Sequence, residues 1–175
     1  KDGNIEISKI NGAVSASASD GNIRVKEIDG SSDIQSSDGN LEMEDIDGSI
    51  QCRASDGNIE LKNVRGDIAV KTSDGNISFT DLSGSLTAQT GDGSINGNIL
   101  QLKNSLTVKT GDDNIDLTIP DGLGLDLNIK GESLKVPLKD FSGESTDNYI
   151  KGKIHDGGIS VDITTNDGSI KLEYK

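Results

Sequence analysis

From Asp20 the chain reads Asp20-Gly21-Asn22-Ile23-Arg24-Val25-Lys26-Glu27-Ile28-Asp29-Gly30-Ser31-Ser32-Asp33-Ile34-Gln35-Ser36-Ser37, and then begins again at Asp38-Gly39-Asn40-Leu41. The same eighteen-residue phrase restarts at Asp56 and Asp74, and in altered form at Asp92. Within it, glycines fall nine residues apart, from Gly3 and Gly12 to Gly84 and Gly93 without a miss. Glycine takes φ > 0 without steric cost, so a fixed glycine spacing predicts a chain that turns at fixed intervals. Repeats of this length are the mark of a solenoid, in which each unit buries its apolar face against the next. Counting Asp20 as slot 1, one coil has two glycine corners, at slots 2 and 11.

Between the corners, apolar residues alternate with polar ones, the pattern of half-buried strands. Slot 4 holds Ile5, Ile23, Leu41, Ile59, Ile77 and Ile95; slot 6 holds Ile7, Val25, Met43, Leu61 and Phe79; slot 9 holds Ile10, Ile28, Ile46, Val64 and Leu82. Slots 13 and 15 continue the series with Val14, Ile50, Ile68 and Leu86, then Ala16, Ile34, Cys52, Val70 and Ala88, with Ser32 as the exception. Stacking puts each slot above itself at about 4.8 Å, so the expected fold is an all-β, single-chain parallel β-solenoid (β-helix) with two faces, a rod of roughly 30 Å. The crossover rule for parallel strands favours right-handed coiling.

The regular coils are expected over 1–119, with an insertion near 97–104 that bulges at a corner. Asp113 stands in a glycine slot there, and Asp tolerates the left-handed region better than most residues. From Pro120 the period is lost while alternation persists in 123–129, 134–138, 149–154, 159–163 and 170–174. Residues 120–175, which hold Phe141, Tyr149 and Tyr174, read as wider C-terminal coils and a cap of the same domain. No such cap is visible at the N-terminal end. The chain opens in mid-repeat at Lys1-Asp2-Gly3 and is expected to be a piece of a longer protein, continuous with an N-terminal membrane anchor or further domain.

Composition restricts function. A net charge of −13 leaves no basic stripe for phosphates, so nucleic acid is excluded as a partner. Acidic charge instead serves solubility and protects strand edges from association. No apolar run of eighteen residues and no signal peptide occurs. The lone Cys52 cannot form an internal disulfide, and its slot makes it a small core residue. The only histidine, His155, has no nucleophile motif beside it and reads as a solvated loop residue.

The phrase Ser19-Asp20-Gly21-Asn22-Ile23, repeated from Ser37, Ser55 and Ser73, and the ending 159–170 resemble the bacterial adhesin-type domains of unknown function that carry Thr/Ser-Ser-Asp-Gly-Asn-Ile repeats. The resemblance covers nearly the whole chain. It implies a β-helical fold and a surface-exposed or membrane-associated bacterial protein, often joined to a membrane anchor, and it carries over no catalytic residue or cofactor.

One column invites chemistry: Asp2, Asp20, Asp38, Asp56, Asp74, Asp92 and Asp112 recur at slot 1. Stacked carboxylates ~4.8 Å apart repel by on the order of 1 kcal/mol per neighbour in water. Calcium at Asp20, Asp38, Asp56, Asp74 and Asp92 would offset that, but the second corners carry Ala13, Ser31, Ser49, Asp67 and Ser85 and supply no consistent oxygen cage. The favoured account has each Asp accept the backbone N–H two residues on, with Asn in a ladder beside it. No catalytic residue is expected. The reading is a non-enzymatic cell-surface or envelope module, an adhesin, scaffold or interaction platform for a protein or glycan. Alternatives are a polysaccharide-binding or polysaccharide-active β-helix, and an extracytoplasmic sensory or regulatory domain. A polysaccharide enzyme needs clustered carboxylates or a stacking tryptophan, and the chain has no tryptophan. An ice-binding face would need an outward threonine array, whereas Thr72, Thr90 and Thr110 fall on the inner side by parity.

Overall fold

The computed structural model of the chain describes residues 3–175; Lys1 and Asp2, the latter the first of the aspartate column, lie outside the described residues. It is an all-β solenoid. Each turn of the first half contributes one strand on either side of the second glycine corner: β1 (Ile5–Asn11) and β2 (Val14–Ala18), β3 (Ile23–Asp29) and β4 (Ser32–Ser36), β5 (Leu41–Asp47) and β6 (Ile50–Arg53). From the fourth coil the strand runs through that corner, as β7 (Ile59–Lys71), β8 (Ile77–Gln89) and β9 (Ile95–Lys109). Pairing is parallel with an offset of eighteen: Ile5↔Ile23, Ile23↔Leu41, Leu41↔Ile59, Ile59↔Ile77 and Ile77↔Ile95. The inner slots form continuous apolar columns. Ile23, Val25, Ile28, Ile34, Leu41, Met43, Ile46, Ile59, Leu61 and Val64 are all at most 2% exposed. Each such side chain contributes about 1.5–3 kcal/mol relative to an exposed one.

The coil has a third bend that the two-corner reading lacks. Lys9, Glu27, Asp45, Asn63 and Asp81, all at slot 8, have φ between 50° and 59°. The reason is parity. Slots 4, 6 and 9 all point inward, and strict alternation cannot bring both 6 and 9 inside. One left-handed residue between them turns the chain and resets the alternation.

The glycines divide by cause. The second-corner glycines, Gly12, Gly30, Gly48, Gly66 and Gly84, have φ from 138° to 154°, a conformation open to glycine and costly for other residues. Gly21, Gly39, Gly57, Gly75 and Gly93 at the Asp-Gly-Asn corner are not at left-handed φ. A Cβ on any of them would overlap the carbonyl oxygen of the glycine one coil earlier. These corners require glycine because the coils approach closely, not because the backbone is strained.

Regularity changes in β9. Phe79, the largest buried side chain, lies in the same column as Gly97 and Leu117. A Cβ on Gly97 would run into the Phe79 ring, so the aromatic fills space that an aliphatic would otherwise claim from the next coil. Two extra residues enter just past the second corner, where Gly84 faces Leu102 but Leu86 faces Leu106.

The closing segment does not stack in chain order. β10 (Ile115–Ile119) pairs with the start of β9, and β11 (Leu125–Lys130) follows. The last two strands, β15 (Ile159–Thr164) and β16 (Ser169–Tyr174), insert between these layers: β15 lies between β9 and β11, and β16 between β10 and the short β12 (Ser133–Lys135). Beyond β11 the sheet turns antiparallel, through β14 (Tyr149–Ile154) and then β13 (Phe141–Ser145), which closes this end.

Candidate functional site

Polar groups gather in three places: the Asp-Gly-Asn corner, the outward columns on the flanks, and a cavity at the C-terminal end.

At the corner the hydrogen bonds run from coil to coil. Asn22 N–H donates to Asn4 Oδ1 at 3.0 Å, and the step repeats from Asn40 to Asn22, Asn58 to Asn40 and Asn76 to Asn58 at 2.8–2.9 Å. This is the asparagine ladder expected from the sequence, but it takes over the amide assigned there to the aspartate. The second partner is a buried hydroxyl at slot 17. Thr90 Oγ1 donates to Gly75 O at 2.8 Å and accepts Gly93 N–H at 3.3 Å; Ser36 accepts Gly39 N–H at 3.1 Å, and Thr110 donates to Gly93 O at 2.7 Å. Thr72, Thr90 and Thr110 are at most 8% exposed, on the inner side as parity requires. Asp20, Asp38, Asp56, Asp74 and Asp92 stand exposed at the rim, one carboxylate per coil. Among the described residues no group of three or more His, Cys, Asp and Glu side chains comes together as a metal site.

On the flanks, charges pair with the neighbouring coil. Arg24 Nε donates to Glu42 at 2.8 Å, and Glu42 holds the guanidinium pKa above its ordinary value. Glu44 lies between Lys26 and Lys62, whose hydrogen bonds, Lys26 first, hold its carboxyl below the usual range. Asn63 Nδ2 donates to Asp45 at 2.6 Å and Asn98 Nδ2 to Asp81 at 2.9 Å, tying the left-handed bends together. Cys52 is buried with its thiol 3.3 Å from Met43 Sδ, and burial pushes its pKa well up, so it is the inert core residue its slot implied.

The third place was not anticipated. A cavity of about 400 Å³ opens at the C-terminal end between Asp121, Leu123, Pro137, Lys139, His155 and Tyr174. Burial, with Asp121 nearby, pushes the Tyr174 phenol up to about 12, and its hydroxyl is buried without a hydrogen-bond partner among the described residues. His155 is exposed but not free: Nδ1 lies 3.1 Å from Leu123 O, and Nε2 lies 3.5 Å from Asp140 Oδ2. Asp140, His155 and Asp156 all have left-handed φ, of 53°, 48° and 33°. The clamp joins the loop before β11 to the loop before β13. Its only trace in the sequence is the crowding of aromatics, His155-Asp156-Gly157-Gly158 included, into an otherwise aliphatic chain.

Residues 32–173 match the model of a family described as Toastrack DUF4097. No curated protein and no solved structure matches the chain.

Proposed function

The chain belongs to the Toastrack DUF4097 family, and on that premise we propose that it is a non-enzymatic module of the bacterial cell surface or envelope, a stiff interaction platform for a protein or glycan partner. The observation that carries this reading is the pairing of the flank charges. Arg24 with Glu42, Glu44 with two lysines, and Asn63 with Asp45 are engaged along the rod, coil to coil, and present a regularly spaced polar surface. Such a surface suits contact over length more than chemistry at a point. An extracytoplasmic position on a membrane-anchored protein fits the resemblance of the repeats. A polysaccharide-binding or polysaccharide-active β-helix, and a sensory domain acting through an envelope partner, are the competing roles.

The test is to present the purified chain with bacterial and host glycans and with crosslinkable envelope extract. Retention of one partner without release of sugar is the expected result. Release of reducing ends, abolished on removing the protein, overturns the non-enzymatic reading. Glycan retention alone moves the assignment to the polysaccharide-binding alternative.

A further inference from the structure

We propose that the edge formed by β1 and β2 is a docking face for one further coil of the same eighteen-residue repeat, laid on parallel with its corner carbonyl against Gly3. The argument starts from why glycine occupies slot 2. At Gly21, Gly39, Gly57, Gly75 and Gly93 an added Cβ would overlap a carbonyl oxygen of the preceding coil, and none of them needs glycine for its φ. Gly3 carries the same residue, yet among the described residues nothing lies within 4 Å of its would-be Cβ. Its glycine is the requirement of a coil with another beneath it.

Three further features point the same way. The apolar slots of the first coil are open: Ile10 is 39% exposed and Ile5 and Ile7 are half-buried, against 2% or less for Ile23, Val25 and Ile28. β1 pairs only with β3 and β2 only with β4, so their outer edges are free for main-chain pairing. In slot 5, Glu6 stands exposed while the cation above it, Arg24, is bonded to Glu42. An incoming coil with Arg or Lys in slot 5 meets that carboxylate. These features select the occupant. A two-fold dimer would run β1 antiparallel to its mate and reverse the slot order, putting no corner carbonyl at Gly3. A head-to-tail contact would offer β13, which lacks the Asp-Gly-Asn turn. This inference is independent of what the flanks of the rod bind.

The experiment places a copy of residues 19–36 ahead of Lys1, which keeps the eighteen-residue phase and sets an arginine over Glu6. Alternate residues of a parallel strand bond to opposite neighbours, and Ile5 N–H already bonds to the second coil, so the Glu6 and Ser8 amides face outward. In the extended chain their hydrogen exchange should slow by about tenfold or more. Gly3→Ala should cancel that protection in the extended chain and shift the melting point of the original chain by no more than ~1 °C. Unslowed exchange at Glu6 and Ser8 overturns the proposal, as does protection that survives Gly3→Ala. Concentration-dependent protection of the original chain, with dimers or filaments in sedimentation, assigns the edge to a second copy and also overturns it.

Discussion

The stack from Gly3 to Asn96 and the closing segment from Gly97 to Lys175 use the same corner in opposite topological settings. In the first, every coil rests on the coil that precedes it in the chain, eighteen residues back. In the second, Thr165 donates to Asp113 O at 2.9 Å and accepts Gly168 N–H at 3.2 Å, while Ser169 N–H takes Asn114 Oδ1 at 2.9 Å, across fifty-two to fifty-five residues of sequence. The bonds are those of Thr90, Gly75 and Gly93. The corner is therefore a portable unit, specified by the coil beneath it and indifferent to how the chain arrives. The sharpest way to break this equivalence is to put a methyl group on both corners. A Cβ on Gly57 would overlap Gly39 O, and one on Gly168 would overlap Asp113 O. Gly57→Ala and Gly168→Ala should each cost about 3 kcal/mol or more, because neither backbone oxygen can move without parting two coils. Urea unfolding measures both; a tolerated Gly168→Ala would show that the inserted coil is held by other means.

Where the two regions meet, Phe79 and Gly97 share a column. Gly97→Ala alone should destabilise by about 2 kcal/mol through overpacking against the ring. Phe79→Leu should leave space that the added methyl can use, so the double variant is expected to be more stable than the sum of the singles predicts. Strict additivity in denaturant midpoints would mean that the ring and the glycine are not coupled.

The sequence made the regular region legible because propagation there is local: a slot recurs, its column is buried, and the asparagine ladder follows. Parity also held the third bend in view, since Ile23, Val25 and Ile28 cannot all face inward on one flat strand. The aspartates misled because Asp-Gly is a familiar self-capping turn, whereas here Asn4 and Ser36, each from another position in the coil, reach those amides first. In the closing segment, Asn166-Asp167-Gly168-Ser169-Ile170 announced a corner but not its neighbours. Pairing across more than fifty residues leaves no period to read. The cavity beside Tyr174 is assembled from three loops and has no sequence pattern for the same reason.

Ser32 offers a gentler perturbation of the regular stack. It fills slot 13 between Val14 and Ile50, is 2% exposed, and its hydroxyl has no hydrogen-bond partner among the described residues. A buried hydroxyl without a partner carries an uncompensated desolvation cost. Ser32→Val restores the aliphatic column and suits a strand, so it should stabilise by about 1 kcal/mol. A fall in melting temperature would indicate that the column is too tight there for two more methyl groups.

The smallest expected difference is in pH response, and it separates the two regions by their carboxylates. In the stack Glu44 is held below its ordinary range by Lys26 and Lys62; in the closing segment Asp126 is held down by the Gly158 N–H, at 2.9 Å, and then by Lys153. A carboxyl whose folded pKa is depressed contributes stability that is complete above its unfolded pKa and disappears as pH falls through the folded value. Acid thus weakens both regions at these points. With a net charge of −13, protonating the remaining carboxylates also relieves repulsion, so the total stability of the chain need not fall. The informative quantity is the difference between variants. Glu44→Gln and Asp126→Asn should each be less stable than the parent near pH 7 and converge with it below the carboxylate range. Both pairs of melting curves should close as pH falls. The Asp126 pair should change less with added salt, because its first partner is a backbone amide rather than a lysine. Equal salt dependence for the two pairs would assign the depression of Asp126 to Lys153.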